Sequence, residues 1–165
     1  MDGQATASMA RFAMIFGGGQ ERNMRAGTEN LYGIVGFAKA LELADASMEK
    51  DSAYIQSVKD YMIEQLKKEM PGVQFNGDYA GKSLYTVLNV AFPKTEKSEM
   101  LLFSLDMQGI CVSGGSACSS GADIGSHVIR AISNNPNRVP VRFSFSRHNT
   151  KEEVDTVVAK LKELI

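Results

Sequence analysis

The stretch VPVRFSFSRHNTKEEVDTVVAKLKEL at residues 139–164 joins the two kinds of element from which we expect the fold to be built. Apolar and polar residues alternate at its start, which predicts a strand over residues 139–145 with Arg142 on the polar face. Thr150 and Glu153 then have the spacing of a capping box, which predicts the start of a helix. A strand followed by an amphipathic helix favours a sheet covered by helices.

The residues before this stretch predict further helices and strands. The spacing of apolar residues predicts helices at residues 28–48, 51–70, 97–107 and 126–132. Runs of β-type residues predict strands at residues 73–76, 84–92 and 110–112. No internal repeat is present in the sequence, and the mixed order of elements predicts one α+β domain.

The composition is that of an ordinary globular chain. It has 165 residues, a formal net charge of −1 and 44% hydrophobic residues, which suits one compact domain. The near-neutral charge excludes a strongly basic nucleic-acid binder, and no apolar run approaches the roughly 20 residues of a membrane-spanning helix. Two cysteines exclude a cystine scaffold and favour the reducing cytoplasm. Residues 1–16 begin with small and polar side chains and are expected to be a tag, a linker or a disordered segment.

Cys118 is the sharpest chemical feature of the sequence. It stands in the run SGGSACSSG at residues 113–121, which contains only Ser, Gly, Ala and the cysteine. Such a run cannot build a core, so we expect an exposed, mobile loop whose thiol is available as a nucleophile. An incidental surface cysteine is the alternative. Cys111 is expected to be buried in the strand before the loop, and a redox dithiol made by both cysteines stays open.

Arg142 and Thr28 are candidate anion-binding residues. Arg142 either faces solvent or binds a carboxylate through its forked guanidinium group. Thr28 follows the glycines at residues 17–19, so its hydroxyl and nearby backbone N–H groups suit an anion, unless Thr28 simply caps the next helix. The two histidines, His127 and His148, lack the spacing of a zinc site, so no metal site is expected.

Four segments carry a family resemblance. They are GGGQERNMRAGTEN at residues 17–30, ICVSGGSACSSG at 110–121, SHVIRA at 126–131 and VRFS at 141–144. The first is similar to the Gly-rich segment and Arg-x-Gly-Thr-x-Asn motif of cysteine desulfurases, which are pyridoxal-phosphate enzymes of the class V aminotransferase-like group. The second resembles the active-cysteine loop of the branch that supplies iron–sulfur cluster assembly. The resemblance runs in order from about residue 16 to the C-terminus.

The resemblance implies a fold, an activity and three site residues. The fold would be a small, mostly antiparallel sheet of three to four strands covered by helices. The activity would remove sulfur from L-cysteine, giving alanine, through a persulfide on Cys118 that passes to an iron–sulfur scaffold or another sulfur acceptor. Arg142 would hold the substrate carboxylate. Thr28 would reach the pyridoxal phosphate of the neighbouring subunit in a homodimer.

The sequence also departs from the family pattern. The family's large cofactor-binding domain, with its lysine in a Ser-x-His-Lys context, has no counterpart here, so residues 17–165 resemble the C-terminal small domain alone. Residues 123–125 also differ from the family's acidic-Pro-Ser run. We therefore expect the isolated chain to bind no pyridoxal phosphate and to be inactive. Its eleven lysines, Lys59 among them, are expected on exposed helix faces or loops.

Other functions remain open on the sequence alone. One is a selenocysteine lyase or another β-lyase of the same family. Another is a non-catalytic module that docks a sulfur acceptor or a partner desulfurase. Neither a nucleic acid nor a membrane is expected as a partner.

Overall fold

The computed structural model describes residues 15–114, 126–133 and 135–165. The chain divides into two units, Met1–Ala46 and Ser47–Ile165. The expected tag or linker at residues 1–16 falls almost wholly outside the described residues. Residues 115–121 of the predicted loop that contains Cys118 also lie outside them.

A three-stranded antiparallel sheet organises the second unit. Strand β1 is Gln74–Phe75, β2 is Val87–Pro93 and β3 is Arg138–Ser144, and they lie in the order β1-β2-β3. Strands β2 and β3 pair along their full lengths, with Val90 opposite Val141. The expected α+β fold with a small antiparallel sheet is therefore confirmed.

The helices differ widely in length. Their bounds are Gln20–Asn23 for α1, Leu31–Glu69 for α2, Leu101–Met107 for α3, His127–Ile132 for α4 and Lys151–Leu164 for α5. A 3₁₀ turn at Ser98–Met100 leads directly into α3. Within the part of the chain that the structure describes, no helix is long and apolar enough to cross a membrane.

The core of the second unit lies where helices cover one face of this sheet. Alternation along β3 buries Val141 and Phe143 and leaves Arg142 exposed on the opposite face, as predicted. Helix faces supply further buried apolar residues: Ile55, Val58, Met62, Ile63 and Leu66 of α2, Leu101 and Leu105 of α3, and Val154, Val158 and Leu161 of α5. The sheet therefore has an apolar inner face and an outer face that carries Arg142.

The start of α5 is fixed by the predicted capping box. Glu153 N donates to Thr150 Oγ1 at 3.2 Å, and Thr150 N donates to Glu153 Oε2 at 3.1 Å. The two bonds satisfy backbone N–H groups that have no partner inside the helix. They hold the start of α5 directly after the turn that follows β3.

Two predicted helices, at residues 28–48 and 51–70, form the single helix α2. The residues between the two predictions are Glu49 and Lys50, which both favour helix, and neither Gly nor Pro interrupts the chain there. The predicted break between two helices is therefore wrong, because the residues at this position do not terminate a helix.

The predicted strand at residues 110–112 is not formed. Gly109 has a φ of +75° after α3, and Ile110 N donates to Leu105 O at 2.9 Å. These residues cap the C-terminus of α3, so Ile110 is not available to begin a strand. The first pairing with β3 occurs only at Ser113. One isolated bridge takes the place of a fourth strand.

Candidate active site

Arg142 is joined by backbone hydrogen bonds to Ser113, the first residue of the run at residues 113–121 that contains Cys118. Arg142 N donates to Ser113 O at 2.6 Å, and Ser113 N donates to Arg142 O at 3.1 Å. The Arg142 Nη2 group also donates to Ser113 Oγ at 3.4 Å. Among the described side chains, no carboxylate forms an ion pair with Arg142. Its guanidinium therefore retains donors that can bind a ligand anion.

A second polar residue lies beside Arg142 on the outer face of the sheet. Asn89 of β2 stands directly opposite Arg142 in the strand register. Its Oδ1 accepts a hydrogen bond from Asn76 Nδ2 at 2.7 Å, and Asn76 N donates to the Asn89 carbonyl at 2.9 Å. Sequence reasoning did not single out Asn89, although a polar residue between Leu88 and Val90 in a predicted strand carried the signal.

Of the two cysteines, Cys111 lies within the described residues and Cys118 does not. Cys118, the predicted nucleophile, lies outside the described residues and stays a prediction. Cys111 is exposed, so its expected burial is wrong. Ile110 and Val112 are half-buried against the core, and the side chain of Cys111 between them is left exposed. Cys111 also lines an open cavity of about 400 Å³ that reaches Met62.

Thr28 lies in a tight turn of the first unit and is exposed. Helix α2 begins after Asn30, whose Oδ1 accepts from Gly33 N at 3.0 Å, so the alternative that Thr28 caps the helix is wrong. The Arg25 Nη1 group donates to Gly27 O at 2.7 Å and to Thr28 O at 3.4 Å. Gly27 has a φ of +101°, which favours glycine. Arg25 and Gly27 therefore hold the turn that presents Thr28, a signal already present in the Arg-x-Gly-Thr spacing.

Lys59 of α2 is buried, so the expectation that every lysine is exposed is wrong for this residue. Only 1% of Lys59 is exposed, and its Nζ donates to Ser83 Oγ at 2.8 Å and to Leu84 O at 2.9 Å. Burial lowers the pKa of Lys59 below its ordinary value, against the opposing attraction of Asp60 and Asp78. The amine of Lys59 is thus used to hold the loop before β2. Every other lysine is exposed or half-buried.

Neither histidine belongs to a cluster of metal ligands among the residues that the structure describes. His127 and His148 are both exposed. In the described ranges, no group of three or more His, Cys, Asp and Glu side chains is arranged to hold a metal ion.

Comparison with known proteins identifies the family of this chain. The family model described as aminotransferase class-V matches residues 9–157, so the chain belongs to that family. Within it, the chain is similar to curated cysteine desulfurases, which confirms the resemblance stated above. It is 39% identical over 155 residues to cysteine desulfurase IscS of Dictyoglomus turgidum (strain DSM 6724 / Z-1310), covering 92% of this chain and 39% of the relative.

A second relative and a solved structure agree with this assignment. The cysteine desulfurase of Sinorhizobium fredii (strain NBRC 101917 / NGR234) is 40% identical over 156 residues, which cover 93% of this chain and 40% of that protein. The X-ray structure of a NifS-like protein from Rickettsia africae ESF-5 matches 93% of this chain and 39% of that chain, with a TM-score of 0.69 and 27% identity. The chain thus spans about two fifths of the length of the proteins it matches.

Proposed function

We propose that this chain is the C-terminal part of a cysteine desulfurase that serves iron–sulfur cluster assembly. In this proposal the substrate is L-cysteine, the products are alanine and a persulfide on Cys118, and a sulfur acceptor takes the sulfur from Cys118. The names of the curated relatives support the activity. Nothing on the described residues favours selenocysteine or another β-lyase substrate, so we do not propose the alternative.

The observation that carries the proposal is the pairing of Arg142 with Ser113. A guanidinium binds a carboxylate through two parallel hydrogen bonds, so Arg142 is suited to the carboxylate of an amino acid. Cys118 follows Ser113 by five residues, and five residues of chain span at most about 18 Å. The covalent chain therefore keeps the proposed nucleophile within a short distance of the proposed substrate anchor.

The thiolate of Cys118 carries the chemistry that this chain contributes. It attacks the sulfur of the substrate, so that an S–S bond forms while the substrate's C–S bond breaks. The electron pair of the broken bond stays with the carbon fragment, which takes up a proton and leaves as alanine. The new persulfide then faces attack by a thiol of the acceptor, which removes the outer sulfur and returns Cys118 as a thiolate. Arg142 holds the carboxylate while the thiolate attacks the substrate sulfur, which converts an encounter into a positioned reaction.

The residues of this chain suit the phosphate group of pyridoxal phosphate but not its aldehyde. Pyridoxal phosphate, when bound, supplies an aldehyde for the substrate amine and a ring that accepts electrons. The exposed Thr28 hydroxyl, on a turn held by Arg25, suits a phosphate oxygen. The lysines do not suit the aldehyde, because Lys59 is buried and hydrogen-bonded and the others are exposed or half-buried rather than enclosed in a dry cleft. We therefore propose that the isolated chain releases no sulfide.

The remaining parts of the proposal concern assembly and location. We propose a homodimer of the complete enzyme, because Thr28 would contact the cofactor of the neighbouring subunit. We also propose a cytoplasmic location, which suits a protein that works through a free thiol. Residues 17–165 would form the small domain of that enzyme.

A chimera tests the function directly. The 155-residue segment of the Dictyoglomus turgidum relative that matches this chain would be replaced by the matching residues of this chain. We expect the chimera to form alanine and sulfide from L-cysteine in the presence of a reductant. Cys118→Ala should abolish this turnover, and Cys111→Ala, the matched control, should retain it. A folded chimera that is inactive, or that keeps its activity as Cys118→Ala, would refute the proposal.

A further inference from the structure

The outer face of the sheet carries two hydrogen-bond donors on neighbouring strands. Asn89 and Arg142 are direct register partners in the antiparallel pair β2–β3, and their chain neighbours Leu88 and Phe143 point into the core. Both side chains therefore stand on the outer face. Direct cross-strand partners have Cβ atoms about 4.5–5.5 Å apart, which is close enough for one small ligand to contact both.

The orientation of the Asn89 amide is fixed by Asn76, the residue that directly follows β1. Asn89 Oδ1 accepts from Asn76 Nδ2 at 2.7 Å, so the acceptor end of the amide is in use. The Asn89 Nδ2 group lies on the side of the amide away from Asn76, and no described residue accepts a hydrogen bond from it. Because the half-buried side chain is held in one orientation, little conformational entropy is lost when this group binds a ligand.

The two donors suit one acceptor group that lies between them. Arg142 carries a permanent positive charge, and Asn89 Nδ2 has only hydrogens to offer, so the two groups cannot satisfy each other. Among the described side chains no carboxylate pairs with Arg142, while Ser113 Oγ accepts from one of its nitrogens. A carboxylate has two oxygens with two lone pairs each, so it can accept from the forked guanidinium and from the amide at the same time, and its single charge balances that of Arg142.

We propose that Asn89 donates a hydrogen bond from Nδ2 to the same substrate carboxylate that Arg142 binds. This inference rests on the proposed function, which assigns the carboxylate to Arg142. Asn89 then acts with Arg142 to favour substrates with a free carboxylate over amides or esters, because a neutral amide offers one strong acceptor where two are needed. Asn76 is a positioning residue that orients Asn89 and does not touch the ligand.

The test is an NMR titration of the ¹⁵N-labelled 165-residue chain with acetate, at constant ionic strength. We expect the Arg142 Nε–H signal and the Asn89 side-chain NH₂ signals to shift together and saturate with acetate, and not with acetamide. Asn89→Ala should weaken acetate binding about fivefold, which is the size of one ordinary hydrogen bond. Asn89→Asp, which keeps the side-chain shape, should weaken it further through charge repulsion.

Two further variants separate the possible outcomes. Asn76→Ala should weaken acetate binding less than Asn89→Ala does, and Asn137→Ala, an exposed asparagine in the turn before β3, should leave it unchanged. If Arg142 responds but Asn89→Ala and Asn89→Asp bind acetate as the native chain does, the inference about Asn89 is wrong and the proposed function stands. If Arg142 itself does not respond to acetate, its assigned role in the proposed function fails together with this inference.

Discussion

Replacing the buried Lys59 by methionine should destabilise the second unit. The substitution keeps an unbranched apolar stem that is one atom shorter, and it removes two hydrogen bonds, to Ser83 Oγ at 2.8 Å and to Leu84 O at 2.9 Å. Each bond from a charged donor contributes at least about 1.5 kcal/mol, so the loss is about 3 kcal/mol. Removing the cost of burying an ammonium group offsets part of that loss. We expect Lys59→Met to lower the free energy of unfolding by about 2 kcal/mol at neutral pH.

The pH dependence of this difference has a defined sign. The folded pKa of Lys59 lies below its ordinary value of 10.5, so between the two values the unfolded chain binds more protons than the folded chain. Stability that comes from Lys59 therefore rises with pH across that window and is constant below it. Urea unfolding of both chains, repeated from neutral pH to about pH 10.5, gives the difference at each pH.

Ser83→Ala serves as the control for this measurement. It removes the Lys59–Ser83 bond and leaves the bond to the Leu84 carbonyl, so its effect should be smaller than that of Lys59→Met. If Lys59→Met is as stable as the native chain at neutral pH, the two bonds do not hold the loop before β2. A difference that shrinks as the pH rises towards 10.5 would contradict the lowered pKa of Lys59.

Three further predictions concern the capping box, the thiols and the activity of the isolated chain. Thr150→Ala should lower the free energy of unfolding by about 1 kcal/mol, because it removes the hydrogen bond that Glu153 N donates to Thr150 Oγ1. Urea unfolding measures this change, and an unchanged midpoint would contradict it. In Cys118→Ser, the exposed Cys111 should react rapidly with Ellman's reagent without denaturant, and a thiol that reacts only after unfolding would disprove its exposure. The native chain mixed with pyridoxal phosphate, L-cysteine and a reductant should release no sulfide above the free-cofactor background; release that Cys118→Ala removes would show a complete site.

The strand and helix at the end of the chain could be predicted from local patterns. The alternation around Arg142 identified β3 and its exposed face, and the spacing of Thr150 and Glu153 identified the start of α5. Both signals depend on residues within a few positions of each other, and the surrounding fold does not alter them. The predicted separation of α2 into two helices was wrong, because helix-forming residues fill the boundary between them.

The contacts that build the candidate site could not be predicted in the same way. Lys59 is buried because Ser83 and Leu84, 24 and 25 residues along the chain, close over it. The pairing of Ser113 with Arg142 joins residues 29 positions apart. Local pattern gives the face on which a residue stands in its own element, but it does not give the partner that faces it.

Mass spectrometry of the chimera would show whether Cys118 carries the sulfur. The chimera would be treated with L-cysteine without reductant or acceptor, digested under conditions that preserve persulfides, and its cysteine peptides compared. We expect one added sulfur atom on the Cys118 peptide, none on the Cys111 peptide, and much less on Cys118 in Arg142→Gln. Added sulfur on Cys111, or alanine formation with no sulfur on Cys118, would contradict it.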